Sequence, residues 1–271
     1  MGSTTVDHRD GPSPPAAVAT LWRRDRTLTL TAASQLLLLV VFLVGIAVDP
    51  RTVGGEPVWL KPAKFAASLA VLAGTLAALT PSVPVSDRLW RWAAASVAVV
   101  STGEIALIGG QALRGVESHF NTSTALDAAV YNAMGVLVFG VTLVLAVVTV
   151  QAWRGDTDTH PAFALGVRLG LAAFVLGALE AVPMTVLSTS TVSTAWVTLP
   201  VFGWAIPGDF RAAHFVGMHG LQVLPAAGLL AARGARAGRL RRPRLVVWAV
   251  AGLWSLLLAV GVAVAVVPLV A

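Results

Sequence analysis

Seven long apolar stretches, at roughly 28–48, 59–80, 93–113, 127–151, 162–187, 211–232 and 245–269, constrain this chain more than any other feature. Each meets the ~20 residues that an α-helix needs to cross the hydrocarbon of a bilayer. Only the first, the fourth beyond Asp127 and the seventh are free of ionisable residues. Charged residues make up 12% of the chain, against about 25% in a soluble domain, and 56% of residues are hydrophobic. Such a chain cannot clothe a water-facing surface, and it is too apolar for disorder. It has 25 Gly and 15 Pro without a collagen period. The fold class expected is all-α: a polytopic membrane protein, a seven-transmembrane-helix bundle with its N-terminus cytoplasmic.

Residues 1–26 are polar and lack the apolar core and small-residue cleavage site of a signal peptide. They read as a disordered cytoplasmic tail, followed by one transmembrane domain over 27–271. Orientation follows from the basic flanks. With the N-terminus inside, the cytoplasmic segments hold Arg9, Arg23, Arg24, Arg26, Arg88, Arg91, Arg154, Arg233, Arg236, Arg239, Arg241, Arg242 and Arg244. The other side holds only Arg51, Lys61, Lys64, Arg114 and Arg211. This places the protein in the cell membrane, multi-pass, with its C-terminus outside. Trp22, Trp59, Trp90, Trp92, Trp153, Trp196 and Trp204 lie near span ends, as interfacial anchors do. The run RGARAGRLRRPR over 233–244 reads as a topology determinant, with anionic lipid head groups as the functional alternative. Arg168 reads as snorkelling or paired near the cytoplasmic face, and Pro183 and Pro225 should kink or end their helices.

The spans carry polar residues at particular places. Span 2 opens WLKPAKF, with Lys61 and Lys64 on one face. Span 3 carries Ser101, Glu104, Ile108 and Gln111 at helical spacing and runs into Arg114, Glu117, His119 and Asn121. Span 5 carries Glu180. Span 6 opens PGDFRAAHFVGMHGLQ, with Asp209, Arg211, His214, His219 and Gln222. Threaded through the topology, all of these fall between mid-bilayer and the outer interface. Ionisable groups in hydrocarbon cost several kcal/mol and usually face a bundle interior or a wet cavity. One polar pocket lined by spans 2, 3, 5 and 6 is therefore expected. Plainer roles exist for each residue. Asp209 could N-cap span 6, and Thr124 with Asp127 resembles a capping box. The lysines could snorkel or pair with Glu104 and Glu180. His214 and His219 stand about 140° apart on a helical wheel, a poor two-histidine metal grip.

Zero Cys excludes disulfides, thiolate catalysis and Cys-ligated zinc or iron–sulfur clusters. No P-loop or dinucleotide-binding glycine pattern occurs. The arginines flank apolar spans, so no nucleic-acid partner is expected. The strings WLKPAKF, QALRGVESHFN and GDFRAAHFVGMHGLQVLP resemble a family of bacterial polytopic membrane proteins, over roughly residues 28–270. In size, span count and paired in-membrane carboxylates the chain also resembles the small seven-span membrane terpene cyclases of actinobacterial and fungal natural-product pathways. Its Ala, Val, Gly and Arg usage suits a high-GC actinobacterium.

That second resemblance implies an intramembrane enzyme on an isoprenoid or other lipid-like substrate. Proton-initiated cyclisation needs a carboxylic acid, for which Glu104 and Glu180 are the deep candidates. The full catalytic set expected is Glu104, Glu180, Asp209, His119, His214 and His219. Lys61, Lys64, Gln111, Arg114, Asn121, Arg211 and Gln222 are the substrate-binding candidates. Phe120, Phe202, Trp204, Phe210 and Phe215 lie near the mouth, although 7% aromatic residues and one Tyr make a thin cation cage. No cofactor and no metal are expected. The alternatives are a haem- or metal-binding redox protein, using the three histidines with the carboxylates and Met218, or a small-anion transporter or sensor using Lys61, Lys64, Arg114 and Arg211. A retinal protein does not fit, because the chain's lysines are both in span 2. The partners expected are a lipid-soluble small molecule and membrane lipids; oligomeric state stays open.

Overall fold

A computed structural model describes residues 14–187, 197–199 and 204–270. Among these, seven helical spans are long and apolar enough to cross a membrane: Arg26–Val48, Leu60–Ser82, Asp87–Arg114, Ala125–Arg154, Pro161–Thr185, Arg211–Arg236 and Pro243–Val267. The protein is an all-α, multi-pass membrane bundle. Its helices are α1 (Pro14–Arg24), α2 (Arg26–Val48), α3 (Leu60–Leu79), α4 (Asp87–Arg114), α5 (Ala125–Arg154), α6 (Pro161–Leu179), α7 (Ala181–Leu187), α8 (Arg211–Arg236) and α9 (Pro243–Val270). Two short antiparallel ladders complete it: β1 (Thr52–Val53) with β2 (Glu56–Pro57), and β3 (Val197–Leu199) with β4 (Trp204–Ile206).

The N-terminal segment departs from the tail expected over 1–26. Residues 14–24 form α1, which begins on Pro14 and continues through Ala, Val and Leu, residues suited to a helix start and first turns. Leu21 packs on the main core, and Arg24 donates to the Ala78 carbonyl at 2.7 Å, capping the far end of α3. Residues 1–13 lie outside the described residues. Asp25 then N-caps α2 through the Leu28 amide at 2.9 Å and takes the Trp90 indole N–H at 2.9 Å, which draws α4 onto this corner.

The core joins Leu28, Leu76, Val97, Val148, Leu171 and Leu221, one from each of α2 to α6 and α8. The closest contact in the bundle is between α6 and α8, and it is made by small residues. A β-carbon on Gly177 would overlap the backbone of Gly217 and Met218, and one on Gly228 would come within 2.6 Å of the Ala162 carbonyl oxygen. Two helices in lipid gain little from apolar burial, so close backbone packing of this kind is what holds them. Arg168, on the same α6, reaches across to the end of α5 and donates to the Ala152 and Gly155 carbonyls at 2.9 and 2.7 Å. It thus caps a helix C-terminus, where orphan carbonyls and the helix dipole favour a cation.

Pro183 ends a regular helix, as expected. It has no N–H for the Leu179 carbonyl, and α6 stops at Leu179 before α7 resumes at Ala181. Pro225 does not interrupt α8, which runs through it; its ring packs where Gly170 leaves room, 2.8 Å from an added β-carbon.

Seven spans put the start of α2 and the end of α9 on opposite faces. The arginine face gathers the ends of the spans near Arg26, Arg154 and Arg236; the hairpin face carries β1, β2 and the loop after α4. The charge bias assigns the arginine face to the cytoplasm. A C-terminal alkaline phosphatase fusion should be active and a C-terminal green fluorescent protein fusion dark. The opposite pair of signals would overturn that orientation.

Candidate functional site

The hairpin face is built by the loop between α2 and α3. Asp49, just beyond α2, accepts four bonds from Arg51, at 2.7 Å from Nη2, 3.0 and 3.1 Å from Nε and 3.1 Å from the backbone amide, and a fifth from the Trp59 indole at 2.8 Å. These bonds, Arg51 first, hold the Asp49 carboxyl well below the usual carboxylate range. Arg51 also donates to the Leu113 carbonyl at 3.0 Å, joining this loop to the end of α4. Trp59 turns inward and stacks on Phe42 at 5.7 Å in the space left by Gly45, so it is a packing residue and not a free interfacial anchor.

The lysines of α3 face this loop. Lys61 Nζ lies 3.7 Å from Glu117 Oε2, and Lys64 Nζ lies 3.6 Å from Glu56 Oε2. Their acidic partners are therefore loop glutamates, not Glu104 and Glu180. A cavity of about 50 Å³ is lined by Glu56, Lys61, Ile108, Ala112, Glu117 and Ser118. It has room for a little water, whereas ligand cavities run to ~300–1,000 Å³.

Three of the expected substrate-binding residues are engaged in holding the loop after α4. Asp127 is buried at the start of α5. It accepts from Arg114 at 2.6 Å, from Gln111 at 2.9 Å and from the Thr124 hydroxyl at 2.6 Å. Thr124 in turn caps α5 through the Asp127 amide at 3.1 Å, and Arg114 also donates to Gln111. The Thr124 and Asp127 cap expected from sequence is present, and its carboxylate also ties α4 to α5. Asn121 donates to the Glu117 carbonyl at 2.9 Å and accepts from the Ser123 amide at 3.1 Å, bracing the turn. Asp127→Ala should lower the melting temperature of the detergent-solubilised protein more than Asp127→Asn, because Asn keeps the one acceptor oxygen that Gln111 and Arg114 share. Equal melting of both variants with wild type would show that this junction does not contribute to stability.

His119 sits above that junction among rings: Phe65 at 5.4 Å, Tyr131 at 6.3 Å and Phe120 at 6.5 Å. Ser118 Oγ lies 3.0 Å from its Nδ1. Burial, and then the nearby Lys61 charge, push its pKa down to about 3, so the ring stays neutral at physiological pH.

A second group forms where α6 ends and α8 begins. The Gly177 carbonyl accepts from His214 Nδ1 at 2.7 Å and from the Glu180 amide at 3.2 Å, so Glu180 and His214 share one helix end. Glu180 Oε2 is buried with no hydrogen-bond partner. His219 turns elsewhere, with Nδ1 on the Phe215 carbonyl at 2.8 Å and its ring stacked on Phe215 at 3.8 Å. Gln222 donates to Thr75 Oγ1 at 3.2 Å and links α8 to α3. Asp209 accepts the Arg211 amide at 2.9 Å and its guanidinium at 2.6 Å. The N-cap position itself is Phe210, so Asp209 serves the first turn without being its cap residue. Trp196 and Phe202 lie outside the described residues.

Glu104 belongs to neither group. It lies ten residues before Arg114 on α4, about 15 Å deeper at ~1.5 Å per residue. It is 2% exposed, and both of its carboxyl oxygens lack a hydrogen-bond partner. One turn away, Gln35 of α2 donates from Nε2 to the Ser101 carbonyl at 3.3 Å and leaves its own Oε1 without a partner. Gln35 is the neighbour that sequence reading missed. The available signal was a lone amide in a Leu- and Val-rich span. The polar residues therefore occupy two depths: a charged mouth, and Glu104 and Gln35 in the bundle interior.

Among the described residues, no three His, Asp or Glu side chains converge as a metal ligand set. No family model, curated protein or solved structure matches the chain.

Proposed function

We propose that the protein is an intramembrane enzyme that isomerises a lipid-soluble, alkene-bearing substrate, of the isoprenoid kind, by proton transfer from Glu104. Glu104 is the observation that carries this reading: a carboxyl group inside the bundle with both oxygens unpartnered. A carboxylate without a partner at that depth costs several kcal/mol more than the uncharged acid form, so the acid form is favoured. A carboxylic acid kept free of ion pairs is what protonation of an alkene requires. The π pair of one C=C bond takes the proton. The resulting cation closes on a second C=C bond and a carbon-bound proton is lost to a base; the base then gives its proton to water and Glu104 takes one back, so the sum is an isomerisation with no co-reactant. Glu180, on the shared helix end with His214, is only half-buried where Glu104 is enclosed, and it is the candidate base. The small mouth cavity points to entry from the bilayer, past α2, whose Leu36, Leu37, Val40 and Val41 are exposed to lipid.

The small-anion reading has less support. Each candidate cation, Lys61, Lys64, Arg114 and Arg211, already has a carboxylate partner. The redox reading has less support because His119, His214 and His219 have separate surroundings.

The test is turnover in D₂O. Purified protein in nanodiscs would be given farnesyl- and geranylgeranyl-bearing compounds, and products read by mass spectrometry. The expected product is an isomer carrying deuterium on carbon. Absence of any isomer across the panel, or an isomer without carbon-bound deuterium, would overturn the reading.

A further inference from the structure

The two faces of the bundle treat their cations in opposite ways. On the hairpin face Arg51, Lys61, Lys64, Arg114 and Arg211 all have a carboxylate within ion-pair distance. On the arginine face, among the described residues, no arginine has one. Arg24 bonds a backbone carbonyl, Arg23 a hydroxyl, and Arg26 lies over the Trp22 ring at 5.6 Å. Asp87, Asp156 and Asp158 share this face, yet none is in an ion pair with them. The densest set is the loop between α8 and α9. We infer that this loop binds the phosphodiester head groups of anionic phospholipids in the adjacent leaflet.

The loop is held in shape before any lipid arrives. Gly238 takes a left-handed φ of 69°, and the amides of Arg239 and Leu240 both return to the Gly234 carbonyl, at 2.9 and 3.2 Å. Leu240 folds back over Gly234 and packs with Ala162, Leu165, Ala231 and Val247. Pro243 then starts α9. With Leu240 turned in, Arg236, Arg239, Arg241 and Arg242 are left exposed on one short, closed turn. Guanidinium groups match phosphate geometry and are weakly hydrated, so they gain more from a phosphodiester than lysines would. The depth fits as well. Trp153 and Trp248 are exposed close to the same ends of α5 and α9, where amphipathic rings mark the head-group level. Nucleic acid or an acidic protein would need the cations clear of the membrane.

The experiment uses the full chain in a zwitterionic detergent and native mass spectrometry. Palmitoyl-oleoyl-phosphatidylglycerol and palmitoyl-oleoyl-phosphatidylcholine would be added in equal amounts. Wild type should retain phosphatidylglycerol at least about fivefold in preference, the factor that one arginine contributes near an anionic surface. The variant Arg236→Gln/Arg239→Gln/Arg241→Gln/Arg242→Gln should fall to within about twofold of no preference. Inorganic phosphate should not displace the lipid. Equal retention of both lipids by wild type, an unchanged preference in the variant, or displacement by phosphate alone would each overturn the proposal. If the variant fails to fold, salt decides on wild type. Raising it from about 50 to about 500 mM should abolish the preference, and a preference that persists would overturn it.

Discussion

Glu104→Gln should fold normally and lose turnover by roughly 10²- to 10⁴-fold, the usual contribution of a positioned general acid. Gln keeps the size and planarity of the acid and adds no charge, so the interior of α4 has no reason to rearrange. What it removes is the transferable proton. The stability readout and the activity readout should therefore separate, with melting temperature held and product lost. Glu180→Gln asks a different question, whether the second carboxyl receives the proton. Its loss should be of the same order if it is the base, and its variant should still incorporate some deuterium into aborted products. Near-normal turnover in both variants would remove proton transfer by these residues from consideration.

The largest structural effect is expected at the crossing of α6 and α8. Gly217→Leu places a side chain where the Gly177 backbone already lies, and Gly177→Leu does the same in reverse. Neither neighbour is a flexible side-chain tip that could step aside, so the helices must separate. Overpacking costs about 1–3 kcal/mol and can exceed that when backbone is involved. At the upper end this corresponds to a drop of roughly 6–12 °C in melting temperature for a chain of this size. Separation would also break the His214 bond to the Gly177 carbonyl and so disturb Glu180. Gly140 is the control, because nothing lies within 4 Å of an added β-carbon there. If Gly217→Leu melted with Gly140→Leu, the close crossing would not be a source of stability.

The span count and the ends of the helices were legible because they follow from composition and length. Every expected stretch overlaps a helix, and Pro183 marks a real break. Helix partners were not legible. Gly166, Gly170 and Gly177 could be seen as small residues, but nothing in the chain says that they meet Gly228, Gly220 and Gly217 of α8. For the site, the sequence located the polar residues by layer and overstated how far they come together. Lys61 and Lys64 found Glu56 and Glu117 because a short hairpin and a turn bring those loops over α3, a geometry with no periodic signal. Gln111, Arg114 and Asn121 looked like ligand-binding groups and are bracing groups. Asp127, read as a cap, turns out to be the common acceptor of Gln111 and Arg114. Glu104 was placed in the same layer as the mouth, and only the rise along α4 separates them.

The lengths of α4 and α5, 28 and 30 residues, carry a consequence for the membrane itself. At ~1.5 Å per residue they extend about 42 and 45 Å, against a hydrocarbon thickness of ~30 Å. α3, at 20 residues, matches that thickness without surplus. The α4–α5 hairpin must then tilt or stand proud of its neighbours. Standing proud on the hairpin face lifts the Arg114 and Asp127 junction out of the oil and into hydrated head groups, where an ion pair is tolerable. A thicker bilayer would pull that junction down into hydrocarbon. Membrane thickness thereby becomes a variable to which the mouth of this protein is mechanically coupled.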